Sequence, residues 1–292
     1  MRQMRWLVWT LGFLTVAAQA GTARGASCGA IDGADAVIGA GTVVLVGEMH
    51  GTEQSPSFVS DLVCTALDRA VSVTVALEIP QEEAARVTAY LDSDGGDAAR
   101  AALLAGPFWT DEYQDGRRSE AELALLDSLR RDRRAGLPVK MALLDRREQT
   151  TGTARDAFMA SRLADAATAS PGDFLVSLTG NVHSSTRKGT PWDAEYRPMA
   201  LELEGRLSNR RVVALDVAYD GGSAWNCRAT DAESCRPYEL KGTAVDGSGR
   251  RRIVLDESLK EKGYDGYYAV GTLTASPPAF QRVSGVAEGP RR

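Results

Sequence analysis

Apolar residues fall in short blocks separated by longer amphipathic stretches. Thr42 to Val46 is an apolar, β-branched run ending at Gly47, the pattern of a strand buried on both faces. Ser72 to Leu77, Val139 to Leu144, Asp173 to Leu178 and Arg211 to Val217 repeat that pattern, and Gly266 to Thr274 reads as a last strand. Between them the spacing becomes helical. Phe58, Val59, Leu62, Val63 and Leu67 share one face of a helix over 55–67, with Pro56 in its first turn. Helices are also predicted over 82–91 and 98–104, separated by the turn-rich 92–97, and over 153–169. A helix over 119–134 opens on Ser119 with Glu122 three residues later, a capping box. Strands alternating with helices at this spacing predict an α/β fold, with a mostly parallel central sheet flanked by helices. From Asp220 to Arg252 glycine, cysteine and charge break the rhythm, which predicts a small irregular β-rich C-terminal extension.

The ends divide differently. Arg2 and Arg5, an apolar run from Trp6 to Ala18 and the small-x-small site Ala18-Gln-Ala20 describe a secretory signal peptide over 1–20. The expected organisation is this signal, an N-terminal extension over 21–41, a single α/β domain over 42–275 and a flexible tail over 276–292. No other segment has transmembrane length, so a periplasmic or secreted protein is expected, with no stable membrane span once the signal is removed. The net charge is −5 with no basic excess, which argues against nucleic acid as a partner. The signal holds two arginines and no acid, so its removal makes the chain more acidic still. All four cysteines follow the signal, and an even count in an oxidising compartment points to two disulfides. Cys227 and Cys235 flank a short polar loop and are natural partners, which leaves Cys28 for Cys64. A metal cluster is the competing use of the cysteines, but no C-x-x-C spacing supports it.

In an open α/β sheet, ligands bind beyond the carboxyl ends of the strands. There the sequence places Glu48 and His50, Glu78, Asp145, and Asn181 with His183. His50 and His183 are the only two histidines of the chain, and both fall on this rim. Each polar residue also has an ordinary structural reading. Glu78 can be a buried acid satisfied by an arginine, and Asp145 a cap or an ion-pair partner of Arg146 or Arg155. Two imidazoles and a carboxylate suit a divalent ion such as zinc, manganese or cobalt, with His50, Glu78 and His183 as ligands. A metal-free arrangement, with one histidine as base and the other facing an oxyanion, serves the same hydrolytic chemistry. The aromatic, charged stretch from Pro107 to Ser119 is a candidate pocket wall. Arg117 in it, with Asp145 and Asn181, is a candidate substrate contact for a small molecule or peptide. No H-E-x-x-H, G-x-S-x-G, G-x-G-x-x-G or Walker loop is present.

Gly47-Glu-Met-His50 and Gly180-Asn-Val-His183 are two G-x-x-H motifs, each after an apolar strand, with Glu78 ending the strand between them. This ordered set resembles the Tiki superfamily, which gathers Tiki metalloproteases, erythromycin esterases and ChaN-type haem-binding lipoproteins. Gly47-Glu-Met-His-Gly51 is also similar to the Gly-Glu-x-x-His-Gly opening of the esterases, with one residue fewer before the histidine. The resemblance implies that His50, Glu78 and His183 form the site with Glu48 beside them. In the esterase version His50 is the base and His183 assists the oxyanion; in the protease version the same residues hold a metal. The ChaN-type relatives imply haem carriage as the alternative, with a histidine or one of Tyr196, Tyr219, Tyr264, Tyr267 and Tyr268 as iron ligand.

Overall fold

The computed structural model describes residues 28–148, 151–243 and 247–281. The signal expected over 1–20, the start of the N-terminal extension and the tail beyond residue 281 lie outside the described residues.

Nine strands and seven α-helices follow one another in the described chain. The first half runs β1 (Thr42–Glu48), α1 (Gln54–Asp68), β2 (Val73–Pro80), α2 (Ala84–Leu91), α3 (Asp97–Leu104), α4 (Glu120–Arg134) and β3 (Val139–Asp145). It continues with α5 (Thr153–Ala169), β4 (Phe174–Gly180), the short α6 (Asn181–Ser184) and α7 (Met199–Leu203), and β5 (Arg211–Ala218). The remainder is β6 (Gly222–Cys227), β7 (Cys235–Leu240), β8 (Arg252–Leu255) and β9 (Gly266–Ala269). Seven strands form one sheet in the order β3-β2-β4-β1-β5-β9-β8, parallel except for the β8–β9 pair. The predicted α/β architecture is therefore present.

The sheet is covered on both faces because its central strands are apolar on both. In β1, Val44 and Val46 pack with α1 and α4, while Val43 and Leu45 pack with α5 and α7. Every residue of β1, β2 and β4 is buried, as expected of parallel strands between helical layers. The chain crosses from β1 over to β2 and returns to place β4 between them, so the carboxyl ends of β1 and β4 lie side by side. The motif-bearing loops meet at that junction.

Three strands run past their apolar blocks, taking in Glu48, Glu78 and Asp145. Periodicity stops at the first polar residue; backbone pairing continues because the neighbouring strands, not the side chains, supply its hydrogen-bond partners. The C-terminal region contains the antiparallel hairpin β6–β7, but β9 joins the main sheet beside β5, with β8 as the edge. The start of the predicted tail is not loose. Ser276 is buried, its hydroxyl accepts from the Ala121 N–H, and the Pro277 carbonyl accepts from Glu120. These contacts supply partners for the N-terminal turn of α4. Both expected disulfides are formed: Cys28–Cys64 ties the N-terminal segment to α1, and Cys227–Cys235 closes the hairpin.

Candidate active site

Four strand ends deliver the site. Glu48 closes β1 and Asp145 closes β3. Glu78 sits at a register shift near the end of β2, and Gly180 ends β4 just before α6 carries His183. His50 is held between two carboxylates, with Nδ1 2.7 Å from Glu48 Oε1 and Nε2 3.4 Å from Glu78 Oε2. Glu78 Oε2 also accepts the Gly180 N–H at 2.9 Å, while Oε1 accepts from Arg155 at 2.6 Å and Arg117 at 3.3 Å. Both arginines donate to Asp145, Arg155 at 2.7 and 3.0 Å and Arg117 at 3.1 Å. His183 points Nδ1 at Asp156, 2.9 Å from each carboxylate oxygen, and Arg155 Nη1 lies 3.1 Å from its Nε2. Asp156 is fully buried and also accepts the Met199 N–H at 2.8 Å.

The two glycines of the G-x-x-H motifs have a reciprocal reason to be glycine. A Cβ on Gly180 would stand 2.8 Å from His50 Nε2, and a Cβ on Gly47 would stand 2.8 Å from the Cα of Asn181. Each motif thus clears the space the other fills. Gly51 has φ of +73°, and a Cβ there would overlap the Trp225 carbonyl. That contact docks β6 onto the loop after His50: the Trp225 N–H donates to the Gly51 carbonyl, and its indole N–H donates to the Gln114 carbonyl.

Burial works to lower the pKa of His50, but the Glu78 charge and the hydrogen bonds His50 donates to Glu48 and Glu78 outweigh it and raise it to about 10. Burial likewise opposes the charge on Glu78, yet His50 and Arg155 hold it ionised, well below the usual carboxylate range. Asp115, buried against Arg117 and Arg118, is held down at about 2 and braces Arg117 from the loop side at 2.7 Å.

Among the expected residues, His50, Glu78, His183, Glu48, Arg117 and Asp145 lie in one hydrogen-bonded network. Asn181 lies outside it, donating to Asp216 at 3.3 Å. Of the two partners considered for Asp145, it is Arg155 that pairs; Arg146 lies over the Phe158 ring instead.

No protein-family profile and no curated protein matches the chain. Solved structures do. An erythromycin esterase EreC mutant in its open conformation superposes with a TM-score of 0.60 at 10% identity, covering 84% of this chain and 94% of that one. A protein from Bacillus cereus gives 0.60 at 11%, over 84% and 92%, and a succinoglycan biosynthesis protein 0.56 at 10%, over 81% and 89%. The chain shares the α/β fold of these structures. At these identities the likeness is one of fold.

Sequence reasoning missed several residues at this end of the sheet. Asp156 lies on the stripe of α5 that buries Met159, Ala160 and Leu163, at the i+3, i+4 and i+7 positions. Glu122 stands in the same relation to Leu125, Leu126 and Leu129 on α4. An acid on the apolar stripe of a helix is the signal that finds both, since a buried carboxylate needs a polar reason to be there. Asp115 lies in a loop and carries no such signal; Tyr196, considered only as a haem ligand, brings its hydroxyl to 3.4 Å from His183 Nδ1. Ser119 caps α4 as expected, its hydroxyl accepting the Glu122 N–H at 3.2 Å, but the Glu122 carboxyl has a second role. Burial, then the charges of Glu48 and Glu78, push it well above the ordinary carboxyl range, against the opposing pull of His50. A carboxyl group raised in this way is favoured in its neutral form by the fold. It therefore takes stability from the protein as pH climbs above the ordinary value of 4.5. Glu122→Gln is expected to raise the melting temperature at pH 7 and to leave it nearly unchanged at pH 4. A gap that is the same at both pH values would show that Glu122 titrates normally.

The residues expected to hold a divalent ion do not fit one in this arrangement. The Arg155 guanidinium stands against both His183 Nε2 and Glu78 Oε1, and the other Glu78 oxygen is taken by the Gly180 N–H. The guanidinium puts a positive charge where His183 and Glu78 would together hold an ion. Among the described residues the His/Cys/Asp/Glu group with converging donor atoms is Cys28, Cys64 and Asp68, and its two cysteines form a disulfide.

Proposed function

We propose that the protein is a hydrolase of ester or amide bonds that works without a metal, with His183 as general base and His50 as the proton-donating, oxyanion-facing group. The observation carrying this is the unequal setting of the two histidines. His183 points Nδ1 at Asp156 as a hydrogen-bond donor and faces Arg155 Nη1 with Nε2, an arrangement that leaves Nε2 as the acceptor a general base offers. His50 is clasped by Glu48 and Glu78, a setting that favours imidazolium. These roles are the reverse of those the esterase resemblance implies.

The steps follow from the donors. A water takes the place of the Arg155 contact at His183 Nε2 and attacks the carbonyl carbon, its proton passing to His183. The new oxyanion meets the positive charge of His50 and the two arginines. On collapse His50 gives a proton to the leaving group, and the proton on His183 returns through water to restore the resting state. Glu78, held ionised, keeps His50 charged and oriented.

The pH dependence of kcat/KM on a small activated ester tests this assignment, since it reports groups of the free enzyme. Activity should hold as pH rises and fall as His50 loses its proton near pH 10. A rise through that region would instead make His50 the base and overturn the assignment. Haem carriage has less support: Tyr196, Tyr219, Tyr264 and Tyr268 are buried, and the hydroxyls of Tyr264 and Tyr268 donate to the carbonyls of Asn181 and Gly47. The two disulfides and the absence of a long apolar helix among the described residues suit export, and the signal-like start supports a periplasmic or secreted location.

A further inference from the structure

Beside the network, on the far side of α6, the loop after Ser185 folds back toward the turn that follows β8. Together they enclose a pocket of about 520 Å³, within the size range of sites that hold small molecules. Val182, next to His183, forms one wall, and Pro198, next to the Met199 that supports Asp156, forms another. Two features set the pocket apart from the rest of the surface. Arg187, Lys188 and Lys262 line it and no Asp or Glu does, although the chain as a whole is acidic with a net charge of −5. Lys188 is neutralised by Glu195, but Arg187 and Lys262 make no ion pair among the described residues. The second feature is Trp192, which also lines the pocket and is 71% exposed, the most exposed large hydrophobic side chain of the described structure. An indole left in water beside unpaired cations offers a flat face and a charge to the same ligand.

We infer that this pocket is a recognition subsite for a carboxylate attached to a ring, with the ring on Trp192 and the carboxylate held by Arg187 and Lys262. The three cations of the lining, with no carboxylate among them, concentrate positive charge where such an anion would be met. Val182 in its wall belongs to α6, the short helix that also carries His183. The inference deepens the hydrolytic reading by naming a substrate class, and it rests on that reading for its role in turnover. Its binding test does not, because the probes carry no scissile bond.

Two sources of such a ring, aromatic and sugar, are distinguished by paired ligands in equilibrium calorimetry. Naphthalene-2-carboxylate is compared with 2-naphthylmethanol, and methyl β-D-glucuronide with methyl β-D-glucoside. One acid is expected to bind at least about tenfold more tightly than its neutral partner, equivalent to ~1.4 kcal/mol. Trp192→Ala and the Arg187→Ala/Lys262→Ala double variant should each weaken that acid by about tenfold. The acid that binds names the source. Equal binding of acid and neutral partner in both pairs, or preference that survives both variants, would overturn the inference. Trp192 lies in solvent and Arg187 and Lys262 form no internal pair, so these variants are expected to keep the melting profile of the native protein.

Discussion

His183→Ala is expected to lower kcat/KM on an ester substrate by roughly 100- to 10,000-fold, the range spanned by removing a positioned general base. The ring is held through Asp156, 2.9 Å from Nδ1 and itself fully buried. Asp156→Asn should therefore cause a loss of similar order, because an amide no longer dictates which ring nitrogen carries the proton. The two variants act on one unit, so the double variant should be little worse than either single one. Asp156→Asn with near-native activity would mean that the carboxylate does nothing for the ring beyond packing. Folding is checked separately by circular dichroism, since Asp156 also accepts the Met199 N–H.

Arg155→Ala should be the most destabilising single change at this end of the sheet. Its guanidinium pairs with Glu78 and Asp145, both buried, and caps His183 Nε2. Removing one partner of a buried ionic cluster strands the others, at about 3–5 kcal/mol. For a domain of this size that corresponds to a melting temperature lower by roughly 6–20 °C. The pH dependence identifies the cause. Glu78 has a folded-state pKa depressed below 4.5, so its contribution is present above that value and is lost as pH falls through the depressed one. The gap between Arg155→Ala and the native protein should therefore be widest near neutrality and should narrow in acid. Arg155→Lys, which keeps the charge but not the forked geometry, should fall between the two. A native-like melting temperature for Arg155→Ala at pH 7 would show that Arg117 alone suffices for both acids.

Legibility in the sequence followed the range of the interactions. The buried strands and the helices over α1, α4 and α5 were readable because both faces of the sheet, and one stripe of each helix, must be apolar. Glu48, His50, Glu78, Asp145 and His183 were readable because they interrupt those apolar runs at their carboxyl ends. The β-rich character of the region holding β6 and β7 was readable, but not their bounds or pairing, since their residues are mostly half-exposed and show no continuous apolar run. Which cation faces which acid was also hidden. Asp145 precedes Arg146 in the chain, yet a three-dimensional detour through α5 makes Arg155 its partner. The roles of the two histidines depended on contacts with Asp156 and Arg155 that no local spacing encodes.

The docking of Trp225 on Gly51 also has a consequence for biosynthesis. The histidine loop is made early and the hairpin that seats it is made late, after every other residue of the network. β1 likewise waits for β4 and β5 as its neighbours. A chain still being synthesised therefore carries all of its acids, bases and cations without holding them in register. Such distant pairings form slowly. The network is therefore expected to reach its final register only once the hairpin has been released and closed.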